Sequence, residues 1–150
     1  MTRMDEERQY CTFYVAGRYF GLDVLTVQEV IRYQEMTRVP LAPPVVRGLI
    51  NLRGQIVTAI DLRRRLQLED RPEDQLPINV VVHTDDGAVS LLVDEIGDVL
   101  QVSEQLFEHP PESLKPSARE VIRGAYKLTD RLLLILDCER LVSLAANGLT

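Results

Sequence analysis

The 150-residue chain contains no tryptophan and only 5% aromatic residues, so stacking on nucleic-acid bases is not its theme. Its formal net charge of −6 also argues against nucleic acid or an anionic membrane as the main partner. Only two cysteines occur, Cys11 and Cys138, with no paired-cysteine or Cys/His spacing between them. Each lies in a strand-like apolar run, which predicts buried reduced thiols and neither a disulfide nor a metal site. Met1 to Arg8 alternate in charge and lack the apolar core of a secretory signal. No apolar run approaches the roughly 18 residues that a membrane helix needs. A cytoplasmic protein is expected. Nucleotide-binding glycine loops, the serine-hydrolase elbow and the zinc-protease histidine pair are all missing as well. Two histidines remain, His83 at a strand end and His109 before two prolines, and both suit ordinary surface positions. No cofactor is implied.

What is present is an ordinary globular composition, 45% apolar and 27% charged, in a chain long enough for one well-buried core. Tyr10–Val15 and Tyr19–Val24 read as a hairpin turning at Ala16-Gly17, and Ile78–His83 and Ala88–Val93 as a second across Asp85-Asp86-Gly87. Val24, Val27 and Ile31 fall at helical spacing, which predicts a short helix over Thr26–Ile31. The run from Val39 to Pro44 is an extended connection. Gly54 marks a turn between two strands within Val45–Leu66, and Asp61 ends the second of them. Glu69–Asp74, acidic and broken by Pro72, is the candidate linker. Asp94–Val102 is ambiguous between strand and helical turn. His109–Pro111 and Lys115-Pro116 mark a loop, and Leu132–Leu136 reads as a strand buried on both faces. Arg3–Arg8 and Ala145–Thr150 are candidate disordered tails.

The chain also repeats itself. Val45-Val46-Arg47-Gly48 matches Val121-Ile122-Arg123-Gly124 at an offset of 76 residues. At that offset Leu52, Ile56, Ile60, Asp61 and Arg64 meet Leu128, Leu132, Leu136, Asp137 and Arg140. The hairpins correspond at an offset of 69, with Leu22 on Leu91 and Val30 on Val99. Such short strands are better closed into two small barrels than laid in one open sheet. The copies diverge at the turn, where Asn51-Leu52-Arg53-Gly54 becomes Lys127-Leu128-Thr129-Asp130. Scaffold needs the apolar positions, so polar residues peculiar to one exposed turn point to a separate task.

Three charged features are candidates for chemistry. Asp94, Glu95 and Asp98 form a small acidic cluster without the ligand spacing of a calcium loop, and a solvated acidic face is the expected reading. Arg63-Arg64-Arg65 reads as a solvated helix end. Glu29, on the expected short helix, and Arg53, at the turn, carry opposite charge, and they pair if the helix packs beside the turn. From composition alone that is a surface ion pair, and Val27 and Leu52 are core.

The segments 21–30, 47–63 and 91–100 closely resemble the CheW family of chemotaxis coupling proteins. The most specific of their motifs is Arg-Gly-Leu-Ile-Asn-Leu-Arg-Gly at 47–54. The likeness runs from about Tyr10 to Val142. It implies a mainly β fold of two intertwined five-stranded SH3-like barrels with short helices, approximately 10–70 and 78–142, with strands exchanged between them in one domain. It further implies a non-enzymatic adaptor that joins methyl-accepting chemoreceptors to the histidine kinase CheA and is recruited from the cytoplasm to membrane-associated arrays. Carried over by motif, Val27, Glu29, Gly48, Asn51, Leu52, Arg53 and Val99 are the residues expected to receive the receptor's helical tip. Kinase contacts are not assigned. The family often has proline where this chain has Thr58 and glycine where it has Ser90, so local packing differences are expected within an unchanged fold. Two other readings are a CheW-like scaffold of a non-flagellar chemosensory pathway and, remotely, a small metal-dependent hydrolase using Asp94, Glu95 and Asp98.

Overall fold

The computed structural model describes residues 7–147. The first hairpin pairs β1 (Glu7–Val15) with β2 (Arg18–Asp23), turning at Ala16 and Gly17, and Phe13 lies opposite Phe20. Its second counterpart pairs β6 (Ile78–Thr84) with β7 (Gly87–Val93). Each hairpin is followed by a crossing strand, β3 (Val27–Ile31) in the first half and β8 (Glu95–Ser103) in the second. A strand-turn-strand unit comes next: β4 (Val46–Leu52) with β5 (Gln55–Asp61), then β9 (Ile122–Lys127) with β10 (Leu132–Leu136). Three short helices complete the chain, α1 (Leu62–Arg65), α2 (Pro116–Arg119) and α3 (Cys138–Asn147).

Two five-stranded sheets result, ordered β8-β1-β2-β10-β9 and β3-β6-β7-β5-β4. Each takes its hairpin from one half of the chain and its other three strands from the other half. A division at 10–70 and 78–142 therefore contains neither sheet whole. The exchange is made at two parallel pairings, β5 with β7 and β10 with β2. Thr58 lies beside Val89 in one and Leu134 beside Phe20 in the other. These pairs are related by the same offsets, 76 and 69, that relate the repeat in sequence. The largest core cluster mixes Phe13, Phe20 and Leu134 of one sheet with Ile60, Val80 and Leu91 of the other, so neither sheet has this core to itself.

Several local expectations need correction. The helix over Thr26–Ile31 is instead a 3-10 turn at Val24–Thr26 followed by β3. The Asp23 carboxylate accepts the Leu25 N–H at 2.9 Å and caps the turn. Beyond it the β-branched Val27, Val30 and Ile31 pair with Val82, Val80 and Asn79 on β6, and Glu29 with Val81. Of the ambiguous Asp94–Val102, Asp94 is a bend and the rest is strand, within β8. Cys11 is half-buried while Cys138 is buried, and burial pushes the Cys138 thiol up to about 12. Leu132 is partly exposed, and the other four residues of β10 are buried. Glu7 and Arg8 belong to β1, and α3 runs to Asn147; the remaining tail residues, 3–6 and 148–150, lie outside the described residues.

Candidate functional site

The turn between β4 and β5 is a two-residue hairpin loop, with Leu52 opposite Gln55. Arg53 and Gly54 both have positive φ, 52° and 86°, as the mirror-image turn favoured by tight hairpins requires. The Asn51 carboxamide oxygen accepts the Gly54 N–H at 2.8 Å and fixes the loop. Arg53 then reaches across to β3. Its Nη1 donates to Glu29 Oε2 at 2.7 Å and its Nη2 to Glu29 Oε1 at 2.5 Å, a two-pronged pair. The Arg53 side chain stays 68% exposed while Glu29 is only 21% exposed, so the pair offers its arginine side to solvent. Hydrogen bonding from Arg53 holds the Glu29 carboxyl below its usual range.

The other expected residues divide around this pair. Leu52 is buried with Ile50, Val57 and Val81 and supports the turn from beneath. Val27 packs half-buried against the main core. Gly48 is buried because the chain at Met36 and Thr37 crosses directly over it. A Cβ there would meet the Thr37 carbonyl oxygen at 2.6 Å. Val99 is 58% exposed but stands on β8, opposite Cys11, in the other sheet. Glu29, Asn51 and Arg53 are thus brought together, Leu52 is buried at the base of the turn, Gly48 is covered farther along β4 by residues 36–37, and Val99 marks a separate edge. Sequence reasoning missed Ile56, which is 60% exposed and sits directly opposite Asn51. The two-residue turn itself supplied the signal, since it fixes that cross-strand pair.

A family model described as CheW-like domain matches residues 9–146. The chain belongs to this family. Chemotaxis protein CheW of Bacillus subtilis is 36% identical over 126 residues, covering 83% of this chain and 80% of that protein. Chemotaxis protein CheW of Klebsiella aerogenes is 31% identical over 136 residues, covering 91% and 82%. The crystal structure of scaffolding protein TtCheW from Thermoanaerobacter tengcongensis superposes with a TM-score of 0.81 at 28% identity, over 92% of each chain. CheW proteins are non-catalytic scaffolds, and the chain is read as one.

Against the CheW pattern, Ser90 stands fully buried in β7. Its hydroxyl donates to Asn79 Oδ1 at 2.6 Å, and Asn79 Nδ2 donates to the Arg32 carbonyl at 3.1 Å. The hydroxyl is therefore satisfied inside the sheet and the fold is undisturbed. Thr58 is half-buried on β5.

The acidic cluster is a solvated face at Glu95 and Asp98 but not at Asp94. Asp94 is buried, whereas Glu95 and Asp98 are exposed on β8. Arg63 donates Nη2 to Asp94 Oδ2 at 2.6 Å, Arg71 donates Nε to Oδ1 at 2.9 Å, and the Ala16 N–H donates to Oδ2 at 2.7 Å. Burial opposes the Asp94 charge, but these donors outweigh it and hold the carboxyl below its usual range. Two guanidinium groups occupy the oxygens that a metal would need, and no metal-binding group of side chains occurs among the described residues. Arg63 is likewise no solvated helix end, being 8% exposed. Its Nη1 also donates to the carbonyls of Glu69 and Asp70. With the Arg71 side chain only 3% exposed, the candidate linker at Glu69–Asp74 is strapped to the body.

Proposed function

We propose that the protein couples chemoreceptors to the histidine kinase CheA, and that the turn at Asn51–Gly54 with Glu29 is where the receptor's helical tip docks. The observation that carries this reading is Arg53. A non-glycine residue at φ 52° is held against local preference, and its side chain is aimed by Glu29 while remaining largely exposed. A guanidinium so fixed presents donors in a planar fork, and Ile56 beside it adds apolar area for one face of a helix. Val99, on the second sheet, then touches a different part of the partner. The protein works by geometry: it holds receptor and kinase in one array, cytoplasmic but recruited to the membrane-associated receptors. Receptor state biases the kinase through contacts that differ between signalling states.

Co-sedimentation with a receptor cytoplasmic fragment and CheA tests this. Arg53→Glu is expected to abolish receptor co-sedimentation while kinase binding and the thermal midpoint stay near those of the parent. Unchanged receptor binding by that variant sinks the site assignment, and absence of both interactions in the parent sinks the adaptor reading.

A further inference from the structure

A groove of about 990 Å³ opens between residues 33–47 and 70–77. It lies at the Val46 end of β4, roughly 20 Å along the strand from the Arg53 turn at about 3.4 Å per residue. Pro40, Pro43 and Pro44 on one wall and Pro72 and Pro77 on the other stiffen it.

Its charge is unlike that of the chain as a whole. Arg38, Arg47, Arg64 and Arg71 line it, and Arg63 stands behind them on α1. Against these five stand two buried carboxylates, Asp61 and Asp94, and three exposed ones, Glu69, Asp70 and Glu73, which leaves the groove near neutral in a chain of net charge −6. The buried pair is heavily subscribed. Asp61 accepts the Arg63 N–H and is shared at longer range by Arg47 at 3.4 Å, Arg71 at 3.9 Å and Arg64 at 4.0 Å. Asp94 already serves Arg63, Arg71 and the Ala16 N–H.

Exposed donors remain at Arg38 and Arg64, whereas the buried Arg71 side chain is committed inward: its Nη2 is ion-paired with Asp94 Oδ1 at 2.8 Å and lies 3.9 Å from Asp61, without an aligned hydrogen bond to either. Arg38 is exposed and makes no ion pair among the described residues. The nearest carboxylate to Arg64 is Asp70 at 3.3 Å, itself 70% exposed, and such a surface pair is readily displaced.

We propose that this groove is an anion-binding site for a phosphate or carboxylate group, which completes the arginine cluster. Planar guanidinium forks match both groups, and the rigid walls lower the ordering cost of binding. The anion is either a free small molecule or the carboxylates of a protein segment, and the two sources are separable.

The test uses the full chain at constant ionic strength, with sodium chloride as control and three probes: inorganic phosphate, citrate and a glutamate-rich peptide. Binding is read by calorimetry and by the thermal midpoint. Saturable binding of at least one probe is expected, weakened fivefold or more by Arg38→Glu and by Arg64→Gln. Asp70→Asn is expected to tighten it several-fold by freeing Arg64, a gain that a purely structural arginine would not show and one that decides the matter if Arg64→Gln fails to fold. Binding of the small anions alone assigns a free ligand, and binding of the peptide alone assigns protein carboxylates. A response matched by chloride, or equal in all variants, overturns the proposal. Arg53→Glu should leave this binding unchanged, so the outcome is independent of the receptor reading.

Discussion

Arg53 and Leu41 occupy the same uncomfortable region of backbone space for different results. Arg53, at φ 52°, is tied down by Glu29 and placed in a hairpin whose geometry demands positive φ. Leu41, at φ 66°, is wholly exposed at the tip of the 39–42 turn, where Ala42 N–H donates to the Val39 carbonyl. Nothing in the fold offsets its strain. Replacing Leu41 with asparagine, which tolerates this conformation, should stabilise the protein by about 0.5–1 kcal/mol. A higher urea midpoint at unchanged slope is the expected result. A lower midpoint would mean that the leucine contributes contacts the fold depends on. At this scale the Arg53 turn was legible, because Gly54 and the alternating apolar residues on either side define a tight hairpin. The burial of Arg63 was not. Three consecutive arginines look solvated, and the carboxylate that draws one of them inward lies 31 residues away.

Among the elements, the repeat was readable because buried apolar positions recur at fixed offsets whatever the turn between them does. The glycines of the two copies show the same device. Gly48 lets Thr37 bridge to Leu49 at the edge of β4, and Gly124 lets Glu108 bridge to Ala125 at the edge of β9. A Cβ at Gly48 would meet the Thr37 carbonyl oxygen at 2.6 Å, and one at Gly124 would strike Phe107 and the Glu108 carbonyl oxygen. Backbone cannot yield as a flexible side chain can. Gly48→Ala and Gly124→Ala should each cost about 1–3 kcal/mol in denaturant unfolding. If Gly48→Ala were neutral for stability yet lost receptor binding, its work would lie at the interface and not in the scaffold. The misread helix at 26–31 has an equally local cause. Val27 and Ile31, four residues apart, share a face on a strand as well as on a helix, and Val24 completes the helical spacing from the 3-10 turn outside β3. The exchange of strands between sheets is not written in any single segment. It depends on the parallel pairings of β5 with β7 and β10 with β2, which neighbouring residues do not encode.

For the molecule as a whole, Asp94 is the point where its parts are fastened together. It sits where the chain passes from β7 in one sheet to β8 in the other, and its own N–H donates to the Tyr14 carbonyl at 2.9 Å. Its carboxylate takes a donor from the β1–β2 turn, one from α1 and one from the 69–74 strap. The other crossing, through Val24–Thr26, has no buried ion cluster among the described residues; its Asp23 caps the turn and pairs with Arg8 at 3.7 Å near the surface, and Leu25 is left largely exposed. The two crossings are thus related by the repeat but only one is clamped by buried ions. Breaking a buried pair by removing one partner strands the remaining charges, so Asp94→Asn should cost about 3 kcal/mol at pH 7. The sign of its pH dependence follows from the depressed carboxyl. The stabilisation is fully present above the ordinary aspartate value near 4 and is lost as pH falls through the lower folded value. Stability curves of parent and Asp94→Asn, measured by denaturant titration, should therefore be well separated at neutral pH and converge in acid. A gap that stays constant from neutral pH into strong acid would show that Asp94 acts through packing and not through its charge.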